Sequence, residues 1–107
     1  MAKQTFEEYR NEIDEIFNEI RWINDCFQLI KQRNLTSTKE KKCEHFYDLL
    51  NALIKQIKQI KTVKGVLLLS QQEKEMIRDL KCALWANCSV EYQNEVSDHR
   101  EDYVSID

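Results

Sequence analysis

The chain contains no proline and a single glycine, Gly65, in 107 residues. Sheets, barrels and sandwiches need many tight turns, and tight turns draw on those two residues. Their scarcity excludes a multi-stranded β protein. It also excludes the glycine-rich cradles that hold phosphates, which need several glycines close together. Long apolar runs are missing too. The longest is Val66-Leu67-Leu68-Leu69, against the roughly 20 residues that a bilayer-spanning helix requires. The opening MAKQTFEEYR turns acidic at once and has no apolar stretch of the kind a secretory signal carries. A cytoplasmic protein is expected.

Cysteine is present but unpatterned. Cys26, Cys43, Cys82 and Cys88 form no CxxC pair, whereas a structural zinc site usually takes two closely spaced ligand pairs. In a reducing compartment such thiols serve as small buried hydrophobes. No cofactor is expected. The two histidines, His45 and His99, read as core or boundary side chains.

What the chain has in quantity is helical periodicity. Phe6, Ile13, Ile20 and Phe27 recur every seven residues, and Tyr9, Ile16, Ile23 and Ile30 follow three behind. This a/d pattern predicts a helix over about 6–33, opened by a Thr5/Glu8 capping box. The polar stretch Asn34-Leu35-Thr36-Ser37-Thr38 interrupts it, because such side chains compete for backbone hydrogen bonds. Ser37 and Glu40 open a second helix over about 38–64. Its stripe of Cys43, Phe46, Leu50, Leu53, Ile57 and Ile60 is widened by Tyr47, Leu49 and Ile54, so it should be buried against more than one neighbour. Gly65 suits a left-handed cap at its end. Ser70 and Glu73 open a third helix over about 71–102. Its stripe starts at Met76, Ile77 and Leu80 and drifts through Trp85 and Tyr92. The expected fold class is all-α: one domain over 1–107, an antiparallel bundle of three long helices with coiled-coil-like packing, tending to oligomerise.

Charge is segregated along the chain. Residues 1–30 carry three cations against seven carboxylates, and residues 31–64 carry nine cations against three. Residues 65–90 balance, and residues 91–107 set one cation against six carboxylates. An acidic first helix lying beside a basic second one accounts for this without any ligand.

Three functional readings follow, from different classes. The first is a non-enzymatic protein that acts by association with a protein partner or with itself, as a regulator, inhibitor or assembly subunit. Trp22 and Leu29 lie off the a/d seam of the first helix, together with Cys26, and Trp85 and Tyr92 lie off the Met76/Leu80 line of the third. Trp and Tyr are favoured anchors at interfaces. The connector Val66, Leu67, Leu68 and Leu69 is a further apolar candidate, and Lys55, Lys58, Lys61 and Lys64 would orient the partner by charge complementarity. The second reading is an enzyme. Glu12-Ile-Asp-Glu15 and Glu95-Val-Ser-Asp98 resemble fragments of the EExxE and ExxD motifs of all-α nucleotide pyrophosphohydrolases. That resemblance implies Mg²⁺ held by Glu12, Glu15, Glu95 and Asp98, although no complete EExxE stands in the chain. The third is nucleic-acid binding through the basic second helix, which the net charge of −3 opposes. The association reading is the expectation; no membrane partner is expected.

Overall fold

A computed structural model describes residues 6–33, 36–60 and 69–98. Every regular element among them is helical: α1 (Phe6–Arg33), α2 (Thr36–Gln59), α3 (Gln71–Ala86) and α4 (Val90–Asp98). α2 starts at Thr36, so Ser37, expected to cap it, lies within the helix, and it ends at Gln59, short of the expected 64. Thr5, Gly65, the end of the third helix expected near 102, and His99 lie outside the described residues.

α2 is the hub. It packs against both α1 and α3, and α1 and α3 touch each other less. A helix with two neighbours needs a wide apolar stripe, and α2 has one: Cys43, Phe46, Tyr47, Leu50, Leu53, Ile54 and Ile57 are all buried. They meet Ile20, Ile23 and Phe27 of α1 and Ile77, Leu80 and Leu84 of α3 in one continuous core.

On α1 the buried stripe is rotated from the a/d seam. Phe17, which is off that seam, is buried, whereas Ile16, which is on it, is only partly so. Phe17 stands seven residues after Arg10 and therefore on the same side of the helix. That side reaches α3, because Arg10 pairs with Glu73. A helix that touches two neighbours buries residues on both flanks of its seam.

The third helix expected over 71–102 is two helices. α3 stops at Asn87, whose backbone N–H donates to the carbonyls of Leu84 and Trp85. The Asn87 side chain donates to Ala83 O at 2.8 Å, and Cys88 N donates to Trp85 O at 3.1 Å. Ser89 then starts α4: its Oγ accepts from Tyr92 N at 3.2 Å. Asn and Ser side chains end one helix and begin the next by satisfying the orphan backbone groups. The Ser70/Glu73 capping box at the start of α3 is formed, with both reciprocal hydrogen bonds present.

α4 is only nine residues long, too short to persist on its own. Packing holds it. Val96 enters the core, and Gln93 Nε2 donates to Trp85 O at 2.8 Å. Ser89 Oγ donates to Glu44 Oε1 at 2.7 Å, and the Tyr92 hydroxyl donates to Asp48. These bonds lay the start of α4 along the first half of α2.

Candidate functional site

The stripe Trp22–Cys26–Leu29 lies on α1 at steps of four and three, so the three residues share one line along the helix. Trp22 is 55 % exposed and Leu29 53 %, while Cys26 between them is half-buried against the core. Trp22 is not loose. Its ring meets that of Phe46 on α2 in a T-shaped contact, with centroids 5.8 Å apart and planes at 89°. An edge-to-face contact of this kind fixes the indole while leaving much of it open to solvent.

Followed toward the N-terminus, the same step pattern continues through Glu19, Glu15, Glu12 and Glu8. One line of α1 is thus acidic in its first half and apolar in its second. Glu12 and Glu15 border an open groove of about 530 Å³ with Gln56 and Gln59 of α2. A second groove, about 440 Å³, runs between α1 and α3 over Phe27, Met76 and Leu80.

The other candidates fall elsewhere. Trp85 and Tyr92 turn inward over Tyr47, at centroid distances of 5.2 and 6.1 Å, and both pack on the core. They serve the docking of α3 and α4 on α2 and do not share the face of Trp22 and Leu29. Leu69 is also packed against the core. Val66, Leu67 and Leu68, and the lysines Lys61 and Lys64, lie outside the described residues. Lys55 is half-buried and Lys58 exposed. Lys58 is near enough to Lys81 of α3 to act on it: burial is the largest influence lowering the Lys81 pKa, and the Lys58 charge adds to it. Val90, at the start of α4, is exposed at 70 % and was not anticipated.

Among the described residues no group of three or more His, Cys, Asp or Glu side chains is placed to hold a metal ion. Glu12, Glu15, Glu95 and Asp98 therefore do not form the shared carboxylate site that the pyrophosphohydrolase resemblance implies. The cysteines are all free. Burial raises the Cys43 thiol, against the pull of Lys39. It pushes Cys88 up to about 12, with Cys43 and the carboxylates Glu44, Asp48 and Glu40 adding to the effect. Thiols held in this way are protonated at neutral pH and are poor nucleophiles and metal ligands. Among the described residues no helix is long and apolar enough to cross a membrane.

No family model, curated protein or solved structure matches this chain.

Proposed function

We propose that this is a small non-enzymatic helical protein that works by protein–protein association, as a regulator, inhibitor or assembly subunit. The helices run antiparallel, in coiled-coil-like packing, and the contact face is the Trp22–Cys26–Leu29 line of α1. The observation that carries the reading is the exposure of Trp22 and Leu29 on a single line, while most large apolar residues of α2 are buried. Holding a tryptophan half in water forgoes part of the roughly 1.5–3 kcal/mol that burying a large apolar side chain contributes. A partner that covers it recovers that energy. The edge contact with Phe46 fixes the indole in advance, so little side-chain freedom remains to be lost on binding.

Sedimentation of the tagged chain tests this, both purified and in extract of its own cells, beside Trp22→Asp/Leu29→Asp. The wild type is expected to travel as a complex in at least one setting, and the variant as a folded monomer in both, with unchanged helix content by circular dichroism. A variant that sediments like the wild type in both settings overturns the reading. Collapse of helix content in the variant also overturns it, since these side chains would then be core.

A further inference from the structure

We propose that α3 and α4 straighten into one continuous helix when α4 leaves α2, and that the freed α4 docks on the α2 of a second copy, so that two chains exchange α4. The proposal goes beyond the association reading and does not use the Trp22 line.

Asn87, Cys88 and Ser89 join α3 to α4, and none of them is a glycine or a proline. Asn87 has φ −102° and ψ 0°, beside the helical region and far from the left-handed one. Its Nδ2 donates to Ala83 O at 2.8 Å, and Cys88 Sγ donates to Leu84 O at 3.2 Å. Both bonds reach back four residues, about one helical turn, and survive in a continuous helix. The apolar spacing also runs through the joint: Leu80, Leu84, Cys88, Tyr92 and Val96 stand four apart. The chain at 87–89 therefore holds no helix breaker. What holds the bend is the docking of α4 itself, together with the Ser89 cap.

Straightening undoes that docking within the chain. Gln93 donates to Trp85 O while the joint is bent, but eight residues of straight helix span about 12 Å. Val96 is carried about 16 Å past Trp85 and out of its own core. α4 also leaves Tyr47, whose ring Tyr92 meets at 6.1 Å, and Asp48, which accepts from the Tyr92 hydroxyl. A second copy carries the same α4, with the same Tyr92 and Val96. It fits the vacated place by identity, and its own place is filled in return, which closes the pair around a two-fold axis. The exchange adds backbone hydrogen bonds across the joint, and α4, nine residues long, grows on from α3 without a new nucleus. Against this, each chain loses the Ser89 cap, and the pair loses the freedom of two separate molecules. α4 has to open first, so the dimer gathers slowly and at high concentration, and dilute chain is left as it is.

The test holds the purified full chain at high concentration in urea below its unfolding midpoint, returns it to buffer and measures mass by light scattering. The wild type is expected to give a dimer that persists on dilution. In that dimer, hydrogen exchange is expected to slow over 87–91 relative to the monomer, because those amides join a helix. Val90 is exposed and is the first residue of α4. Proline is tolerated at the start of a helix and breaks one from within. Val90→Pro should therefore keep the helix content of the monomer and form no dimer. Asn87→Ala favours helix at the joint in both chains and should tighten the dimer about tenfold. Trp22→Asp/Leu29→Asp should exchange like the wild type. A wild type that stays monomeric after the treatment overturns the proposal. So does a dimer whose amides at 87–91 exchange as fast as those of the monomer, or one that folded Val90→Pro forms equally well. A dimer abolished by Trp22→Asp/Leu29→Asp overturns it too, and leaves the association reading standing.

Discussion

Arg10 and Glu73 are joined by two parallel hydrogen bonds, Nη1 to Oε1 at 3.0 Å and Nη2 to Oε2 at 2.6 Å, across 63 residues of chain. Glu73 also accepts from the Ser70 backbone at 3.0 Å as part of the α3 capping box. One carboxylate thus starts α3 and ties that start to α1. Its companion Arg10 is further held by Asp14 at 2.9 Å.

This pair makes stability depend on pH in a stated direction. Burial works against the ionised Glu73, but the Arg10 hydrogen bonds, the Ser70 backbone bond and the Arg10 charge outweigh it and hold the pKa below the usual carboxylate range. A lowered folded-state pKa contributes stability that is present above the unfolded value of about 4.3 and is lost as pH falls through the folded value. Glu73→Gln should cost about 1–2 kcal/mol at pH 7. The gap to wild type should narrow in urea titrations carried down through that acid range. A gap unchanged at acid pH would show that the charge contributes nothing.

Asn51 offers a prediction of opposite sign. It is only 2 % exposed, in the apolar stripe of α2. Its Nδ2 donates to Tyr47 O at 2.7 Å, while Oδ1 has no hydrogen-bond partner among the described residues. A buried acceptor without a donor costs about 1–3 kcal/mol. Asn51→Leu keeps the number and branching of the side-chain heavy atoms, with bulkier methyls in place of the amide, and removes that cost, so it should raise the urea midpoint at unchanged slope. A lowered midpoint would mean that Oδ1 is satisfied in solution, for instance by an internal water.

The thiols should separate into two classes. In the native protein at neutral pH, a maleimide is expected to modify Cys82 first and Cys26 more slowly. Cys43 and Cys88 should react only when the chain unfolds, because burial raises both. Peptide mapping after timed labelling reads this directly. Early modification of Cys88 would show that α4 lifts away from the core in the native state.

α4 should be the least stable helix. Tyr92→Phe removes the hydroxyl that donates to Asp48, a loss of about 1 kcal/mol. Hydrogen exchange should quicken over 90–98 while α2 stays protected. Uniform quickening across all helices would show that α4 unfolds only with the whole chain.

The all-helical class was legible without coordinates, because the scarcity of glycine and proline and the seven-residue recurrence in α1 are local properties of the chain. So was the Ser70/Glu73 cap, which joins residues three apart. The break at Asn87–Ser89 was legible in principle. Asn-Cys-Ser carries the same small polar signal as the stretch before α2, but the apolar stripe drifting through Trp85 and Tyr92 masked it. Periodicity reports which side of a helix is apolar and is silent on what that side meets.

For that reason the fate of each aromatic residue was settled by packing. Trp22, Trp85 and Tyr92 look alike in sequence, each standing just off a seam. The docking of α4 on α2 covers Trp85 and Tyr92, and no described element covers Trp22. The burial of Phe17 and the long-range partner of Arg10 likewise depend on where α3 lies. Composition and spacing determined that this chain forms amphipathic helices, since those depend on neighbours within a few residues. Only the arrangement of the helices in space decided which apolar side chains are core and which remain open, because burial is a property of contacts between segments distant in the chain.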